Sequence, residues 1–166
     1  IRGNIMNKLK LVISAALIIV MGCVFQSCDD NDDPIESEVR YSTINRGGFF
    51  TANMGTLTFR IVNNYPYILP SEGLSNYVEA PMIAFLGQFN SLDEVAMPSG
   101  ANWQKQCNIE NNGGYVAKVK WYDATSREDK TGYILMFVED LSEPDSDSRP
   151  GVFHNEINVA YRLLVY

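Results

Sequence analysis

Three cysteines and a single histidine are the residues of this chain best suited to covalent or acid–base chemistry. Cys107 and His154 could in principle act as a nucleophile and its base. Neither lies in a recognisable catalytic motif, and one imidazole restricts acid–base catalysis at neutral pH. One cysteine and one histidine also cannot complete a tetrahedral zinc site without two carboxylates. We therefore expect Cys107 to have a packing role, and we predict a non-enzyme with no metal and no cofactor.

Carboxylates are numerous but poorly arranged for catalysis. Asp93/Glu94 and Glu139/Asp140 are sequence neighbours, and neighbours on an extended strand point to opposite faces. A glycosidase instead needs two carboxyl groups across one cleft, so hydrolase activity is only a minor alternative. The acidic segment 139–148 could supply oxygen ligands to calcium, although it lacks the Asp-x-Asp-x-Asp-Gly spacing. A solvated loop is the other interpretation of that segment.

Aromatic side chains give a stronger indication of a binding function, because 18 of them follow residue 28. Exposed rings supply large, rigid contact area for sugars and peptide side chains. Tyr65 and Tyr67 flank a proline in a predicted loop, and Trp103 lies in another predicted loop. Tyr122 and its neighbour Trp121 should point to opposite faces of a strand, so one of them could be exposed. Tyr65, Tyr67, Trp103 and Tyr122 are our candidate ligand-binding residues, and packing is the alternative for each.

The N-terminal region has the features of an export signal. Lys8 and Lys10 precede an apolar stretch that runs to Met21 and is broken only by Ser14. This stretch has the length of a signal-peptide core and is too short for a confident membrane-spanning helix. We expect residues 1–28 to be a signal peptide, with residues 1–5 upstream of a true start at Met6.

Two cysteines close this segment. A small residue directly before a cysteine here resembles the bacterial lipobox, in which the thiol is acylated and the cysteine becomes the new N-terminus. Ser27 and the acidic residues that follow favour Cys28 as the lipidated residue, with Cys23 as the alternative. Several acyl chains on one cysteine give stable membrane anchoring. A plain secretory signal is the remaining alternative.

Charge is distributed unevenly along the chain. Three basic residues are the only charges before Asp29, so ten basic and all 20 acidic residues follow. Such an acidic domain repels phosphate backbones, and we predict no nucleic-acid partner. Six acidic residues lie within 29–38, which we expect to be an extended, flexible tether. Residues 39–166 then form a single β-rich domain, long enough to bury one core.

The hydrophobic pattern of the domain has a period of two residues, which is typical of strands. Residues 133–138 are apolar on both faces and predict a central, doubly covered strand. The other predicted strands, in chain order, are 39–44, 56–62, 81–86, 105–110, 115–122 and 157–165.

Turn residues divide these strands. Asn111–Gly114 predicts a tight hairpin that joins 105–110 to 115–122. Residues 123–132 predict a longer hairpin loop, and residues 139–151 an exposed loop. A single helical turn capped by Ser91 is expected at 91–95. Seven or eight short strands predict an antiparallel β-sandwich of immunoglobulin-like size, with a small open β-barrel as the alternative.

The C-terminal two-thirds of the chain resembles a group of uncharacterised lipoproteins of Bacteroidota, known as a domain of unknown function. The resemblance lies in short motifs spread from Gly87 to Tyr161: Ser91-Leu92-Asp93-Glu94-Val95, Pro98-Ser99-Gly100 with Trp103, Gly113-Gly114-Tyr115-Val116 and Phe137-Val138-Glu139-Asp140. It implies a surface lipoprotein with a β-rich domain, and it implies no known activity or catalytic residue.

Taken together, these patterns predict a lipid-anchored protein of the outer membrane, exposed at the cell surface, that acts by binding. The expected ligand is a glycan, a peptide or an envelope protein. A structural or assembly accessory of the envelope is the alternative. A solvent-facing aromatic cluster would favour a glycan, whereas a flat apolar patch or a free strand edge would favour a protein partner.

Overall fold

The computed structural model describes residues 35–71, 77–141 and 156–166, and these residues form an all-β structure. In this part of the chain, ten strands follow one another, and the only helical element is a single 3-10 turn at Leu92–Glu94. The strands are β1 Ile35–Glu36, β2 Arg40–Ile44, β3 Phe49–Met54, β4 Leu57–Asn64, β5 Tyr67–Ser71, β6 Tyr77–Gln88, β7 Cys107–Asn108, β8 Gly113–Asp123, β9 Glu128–Leu141 and β10 Ile157–Val165.

Two antiparallel sheets pack face to face. The larger sheet has the order β1-β10-β9-β8-β6, and β2 pairs with β10 along the same edge as β1. The smaller sheet has the order β3-β4-β5-β7. An apolar cluster that includes Phe59, Tyr115 and Trp121 fills the space between them. The predicted antiparallel β-sandwich is therefore confirmed, and the described strands do not close into a barrel.

The predicted central strand is also confirmed. Residues 134–138 of β9 are all buried, because one face contributes to the cluster between the sheets and the other to a second cluster on the outside. Strand β4 shows the alternation that the sequence predicts, with buried apolar residues and more exposed residues between them. In β10 the prediction holds only in part, because Ala160 and Leu164, which lie between the inward residues, are also buried in the outer cluster. Two strands of the smaller sheet, β3 and β5, were missing from the prediction. In β3 the signal is present, since Phe50, Ala52 and Met54 alternate with exposed residues.

The predicted hairpin between 105–110 and 115–122 is wrong. The turn itself forms, with Asn112 at a positive φ of 57°. However, the strand before it shortens to β7, which pairs with β5 in the smaller sheet, whereas β8 lies in the larger sheet. Tyr115 stabilises this crossing, because its buried hydroxyl donates to the Asn108 carbonyl (2.9 Å) and accepts from the Glu110 N–H (2.7 Å). Burial raises the pKa of the Tyr115 hydroxyl, which therefore remains a donor.

The loop expected at 123–132 is shorter than predicted. Strand β8 continues to Asp123 and β9 begins at Glu128, so four residues form the turn. Asp123 organises it: its Oδ1 accepts from the Thr125 N–H at 3.0 Å and from the Thr56 hydroxyl at 3.3 Å, and its Oδ2 lies 2.9 Å from Lys130 Nζ. Since Thr56 belongs to the turn before β4, Asp123 links the hairpin of the larger sheet to the smaller sheet.

The sheet begins earlier than the predicted boundary at residue 39. Ile35 and Glu36, which lie within the segment expected to be a tether, pair with Val165 and Leu164 of β10. Ser37 extends this attachment, because its N–H donates to the Leu163 carbonyl and its hydroxyl accepts from the Leu163 N–H. The acidic composition misled the prediction, since Glu36 is paired with Arg162 at 2.7 Å.

The charge of Asp123 should stabilise the sandwich in a pH-dependent manner. Lys130 and the Thr125 N–H lower the pKa of Asp123 from 3.8 to about 2. A lowered pKa stabilises the folded state above the unfolded pKa, and this contribution is lost as the pH falls towards 2. We expect Asp123→Asn to lower the melting temperature at pH 7, and the difference from wild type to shrink between roughly pH 4 and pH 2.

Asp129→Asn is the matched control, because Asp129 carries the same charge on an exposed part of the same hairpin. Thermal unfolding followed by circular dichroism across this pH range measures both variants. A pH-independent difference for Asp123→Asn would contradict the ion-pair explanation.

Candidate binding groove

The outer face of the larger sheet is partly covered by residues 89–106, which we call the covering segment. Leu92 and Val95 of this segment are buried against outward side chains of β8 and β9, including Val116 and Leu135. Gly114 allows the close approach, because the Phe89 ring and Val95 occupy the space where a Cβ would lie. The segment therefore covers the apolar part of this face.

Two attachments hold the covering segment in place. Arg162 of β10 reaches it with Nη2, 3.3 Å from the Val95 carbonyl, while Nη1 contacts Glu36 of β1. Farther along, Gln104 and Ile83 exchange two backbone hydrogen bonds of 2.8 Å. These contacts position Trp103, which directly precedes Gln104.

The single helical turn expected at 91–95 forms at Leu92–Glu94. Ser91 occupies the predicted N-cap position, but its side chain makes no capping hydrogen bond. The Glu94 carboxylate instead accepts from the backbone N–H of Asn90 at 2.9 Å, and this hydrogen bond lowers the pKa of Glu94. The Glu94 carboxylate therefore stabilises the turn in place of the Ser91 side chain.

Below the covering segment, the outward side chains of the larger sheet become polar and line a groove. Lys118 of β8 is paired in register with Tyr133 of β9, and Lys120 with Thr131. Lys118 and Lys120 form one row, and Tyr133 and Thr131 form the next. Tyr166 lies beside this second row, because its N–H donates to the Thr131 carbonyl at 3.0 Å. The floor of the groove therefore consists of two adjacent rows of residues across neighbouring strands.

Two cavities make up the groove. The first has a volume of about 320 Å³ and is lined by Met97, Thr131, Tyr133 and Tyr166 together with the residues that both cavities share. The second, of about 210 Å³, is lined by Ala80, Met82 and Trp103 together with the same shared residues. The shared residues are Glu79, Lys118 and Lys120. The first cavity lies at the lower end of the volume range typical of small-molecule sites.

Aromatic rings form the walls of this groove. The Trp103 and Tyr133 ring centroids lie 6.4 Å apart at an interplanar angle of 37°. Tyr133 and Tyr166 meet edge to face, with centroids 5.7 Å apart. Both separations are typical of interacting aromatic pairs. The three rings therefore support one another and present apolar surface beside the lysines.

The groove is also positively charged within an acidic domain. Lys120 Nζ lies 3.3 Å from Glu79 Oε1, so this lysine already has a carboxylate partner. Lys118 is half-buried and, among the described residues, makes no ion pair or side-chain hydrogen bond. The local charge of the three shared residues is consequently positive.

The structure does not bring the four predicted ligand-binding residues together. Trp103 lines the groove. Tyr122 lies on the same face as Lys120 and is exposed, but it lines neither cavity, while Trp121 is buried in the core. Tyr65 and Tyr67 lie at the turn between β4 and β5, in the smaller sheet.

Several residues of the groove escaped the sequence analysis. The sequence patterns assigned no role to Lys118 or Tyr166, and they placed Tyr133 only in the predicted central strand. The alternation of β8 places Lys118 and Lys120 on one face, but only the strand register brings Tyr133 and Thr131 beside them. Pairing with a particular neighbouring strand is not encoded in the spacing of one segment.

Cys107 is buried between the sheets with 5% of its surface exposed, which confirms the predicted packing role. Desolvation raises the pKa of its thiol, so the reactive thiolate is disfavoured at neutral pH. His154, Cys23 and Cys28 lie outside the described residues, as does most of the acidic segment 139–148. Within the described ranges, no group of three potential metal ligands occurs.

Comparisons of this chain with protein-family models, with curated proteins and with solved structures found no match. The described residues also contain no helix long and apolar enough to cross a membrane.

The close contact at Gly114 yields a test of how the covering segment is held. We expect Gly114→Ala to destabilise the fold by about 1–3 kcal/mol, because the new methyl group would collide with the Phe89 ring and approach Val95. Chemical denaturation measures the loss, and hydrogen exchange should show faster exchange within residues 89–106.

Gly100→Ala provides the control in the same segment, since no atom lies within 4 Å of a Cβ built there. Equal stability of the two variants would show that the covering segment does not pack on β8 as described.

Proposed function

We propose that this protein is a surface-anchored lipoprotein of the outer membrane that binds a glycan through the groove on the larger sheet and catalyses no reaction. The signal region supports the anchor and the export route. The groove supports the binding role. The proposal also includes the relationship to the uncharacterised lipoproteins of Bacteroidota, which rests on the motifs between Gly87 and Tyr161.

The combination of aromatic and hydrogen-bonding side chains in one groove is the main support for a glycan. Trp103, Tyr133 and Tyr166 offer ring faces and edges on which the apolar side of a sugar can pack. Lys118 and Thr131 supply donors and an acceptor for hydroxyl groups at the same place. Sugars present both kinds of surface, so this mixture suits them better than a purely apolar ligand.

Binding is favoured over hydrolysis by the placement of the carboxylates. Hydrolysis of a glycoside requires one carboxyl group as acid and a second as nucleophile or base. Among the described residues that line the groove, Glu79 is the single carboxylate, and it is paired with Lys120 at 3.3 Å. This arrangement offers no pair of carboxyl groups across the groove.

The anchor can be tested at Cys28. Because the acyl chains would be attached to this thiol, Cys28→Ala should abolish incorporation of a radiolabelled or clickable fatty acid in the native host. Cys23→Ala is the matched control and should retain labelling. Full labelling of Cys28→Ala together with loss in Cys23→Ala would move the anchor to Cys23.

A specific feature of the smaller sheet favours a second candidate, an assembly accessory that binds an envelope protein. Phe49, Val62 and Leu69 stand beside one another on three paired strands and face outward. Phe49 is 49% exposed, and the Arg60 guanidinium lies 4.4 Å from its ring centroid. A flat surface of this kind suits a protein partner. Because the Arg60 guanidinium already lies over the Phe49 ring, this surface is less suitable for stacking on a sugar.

The glycan hypothesis predicts that binding depends on the groove and not on the exposed aromatics of the smaller sheet. A glycan array probed with the full chain in detergent should give specific signals. Tyr166→Ala should weaken them about tenfold or more, because it removes an exposed ring while the fold keeps its backbone contact to Thr131. Trp103→Ala should have at least as large an effect.

Tyr65→Ala is the control, since Tyr65 has similar exposure but lies in the smaller sheet. Signals that survive both groove variants and disappear in Tyr65→Ala would place the glycan site elsewhere. A blank array would favour the protein partner, and crosslinking through Phe49 on intact cells would then identify it.

A further inference from the structure

Lys118 differs from the other described cations in its surroundings. Lys120, Lys130 and Arg162 are each paired with a carboxylate. Arg46 and Arg60 lie over the rings of Tyr65 and Phe49. The remaining cations, apart from Lys118, are exposed to solvent: Arg40, Lys105 and Arg127. Lys118 is therefore the one half-buried cation of the described residues that has neither a carboxylate partner nor a cation–π contact.

The position of Lys118 is central in the groove. It lines both cavities, and its register partner Tyr133 stands next to it on β9. Residues directly opposite on antiparallel strands have Cβ atoms roughly 5 Å apart, so the lysine and the ring flank the same volume. Trp103 on one side and Tyr166 on the other complete the surroundings. Lys118 and these three aromatic residues thus line the same groove.

The ammonium of Lys118 has no carboxylate partner among the described residues, so it is available to an anionic ligand. An anionic group beside this ammonium would form a charge-assisted hydrogen bond, which is stronger than one between neutral groups. Lys120 is less available to a ligand, because its Nζ already lies 3.3 Å from Glu79 Oε1. The groove is thus complementary to a ligand that brings one negative charge beside an apolar ring surface.

We propose that the ligand of this groove is an acidic saccharide, whose carboxylate or sulfate group contacts the Lys118 ammonium while its ring packs on Trp103. This inference rests on the proposed glycan-binding function and adds the chemical class of the ligand. The net acidic charge of the domain disfavours the binding of anions over most of its surface, whereas the groove carries a net positive charge. A charge-assisted hydrogen bond at one point then fixes the orientation of the sugar.

The test compares acidic and neutral glycans on one array. The full chain in detergent is applied to uronic, sialylated, sulfated and neutral oligosaccharides. The strongest acidic ligand is then measured by calorimetry beside its neutral counterpart, prepared by methyl esterification or desulfation. We expect binding of the acidic form, and binding at least about tenfold weaker for the neutral form, because one charge-assisted contact is lost.

Lys118→Met removes the charge and keeps most of the side chain, so it should weaken the acidic ligand about tenfold and remove the preference over the neutral form. Lys118→Arg should restore part of the preference. Lys105→Met makes the same change of charge at an exposed site outside the two cavities and should leave the affinity unchanged. Parallel losses in Lys118→Met and Lys105→Met would reveal a general charge effect and overturn the proposal.

The two proposals fail in different ways. Equal binding of the acidic and neutral forms, with loss of both in Trp103→Ala, would overturn the acidic ligand and leave a neutral glycan-binding groove. An array without any signal would overturn both. A preference for carboxylate over sulfate, or the reverse, identifies the source of the charge within the proposed class.

Discussion

The structure depends on one constraint, which is that the central strands of the larger sheet are apolar on both faces. Residues 134–138 of β9 are buried throughout, and both faces must be removed from water for the sheet to be stable. The smaller sheet covers the inner face. The covering segment covers the outer face, but only where the outward residues are apolar, at Val116 and Leu135. Farther along the same strands these positions become Lys118 and Thr131, and there the groove begins.

Polar side chains join the two sheets at points where the hydrophobic core alone would not specify the connection. Asn63 of β4 is buried, and its Nδ2 donates to the Ile44 carbonyl at 2.9 Å, at the end of β2. Tyr115 has the same function between β8 and β7, and Asp123 between the β8–β9 hairpin and the turn before β4. Each such hydrogen bond is directional, whereas hydrophobic burial is not. The connections between the sheets therefore depend on three polar residues within an apolar interior.

The period-two pattern was sufficient to predict the sandwich and its central strand, because the order of apolar and polar residues indicates whether one or both faces of a strand are buried. It was not sufficient for pairing. Asn112 and Gly113 predicted a hairpin, and the turn forms, but β7 pairs with β5 through contacts distant in sequence. The groove shows the same limit. Trp103 was a candidate from its residue type and its predicted loop, whereas Lys118 became one only when the register placed Tyr133 beside it and the covering segment brought Trp103 to the same groove.

The two outer faces of the sandwich differ in what their aromatic rings can do. On the smaller sheet, Arg60 lies 4.4 Å from the Phe49 centroid, so the chain itself already provides the cation that this ring attracts. On the larger sheet the relationship is reversed, since Lys118 lines the groove together with aromatic residues but has no carboxylate partner, and the rings of Trp103 and Tyr133 form a tilted pair. On the first face the Arg60 cation already contacts the Phe49 ring, and Phe49, Val62 and Leu69 form a flat apolar surface. The second is concave and holds Lys118 without a carboxylate partner, and the proposal of an acidic ligand follows from this difference.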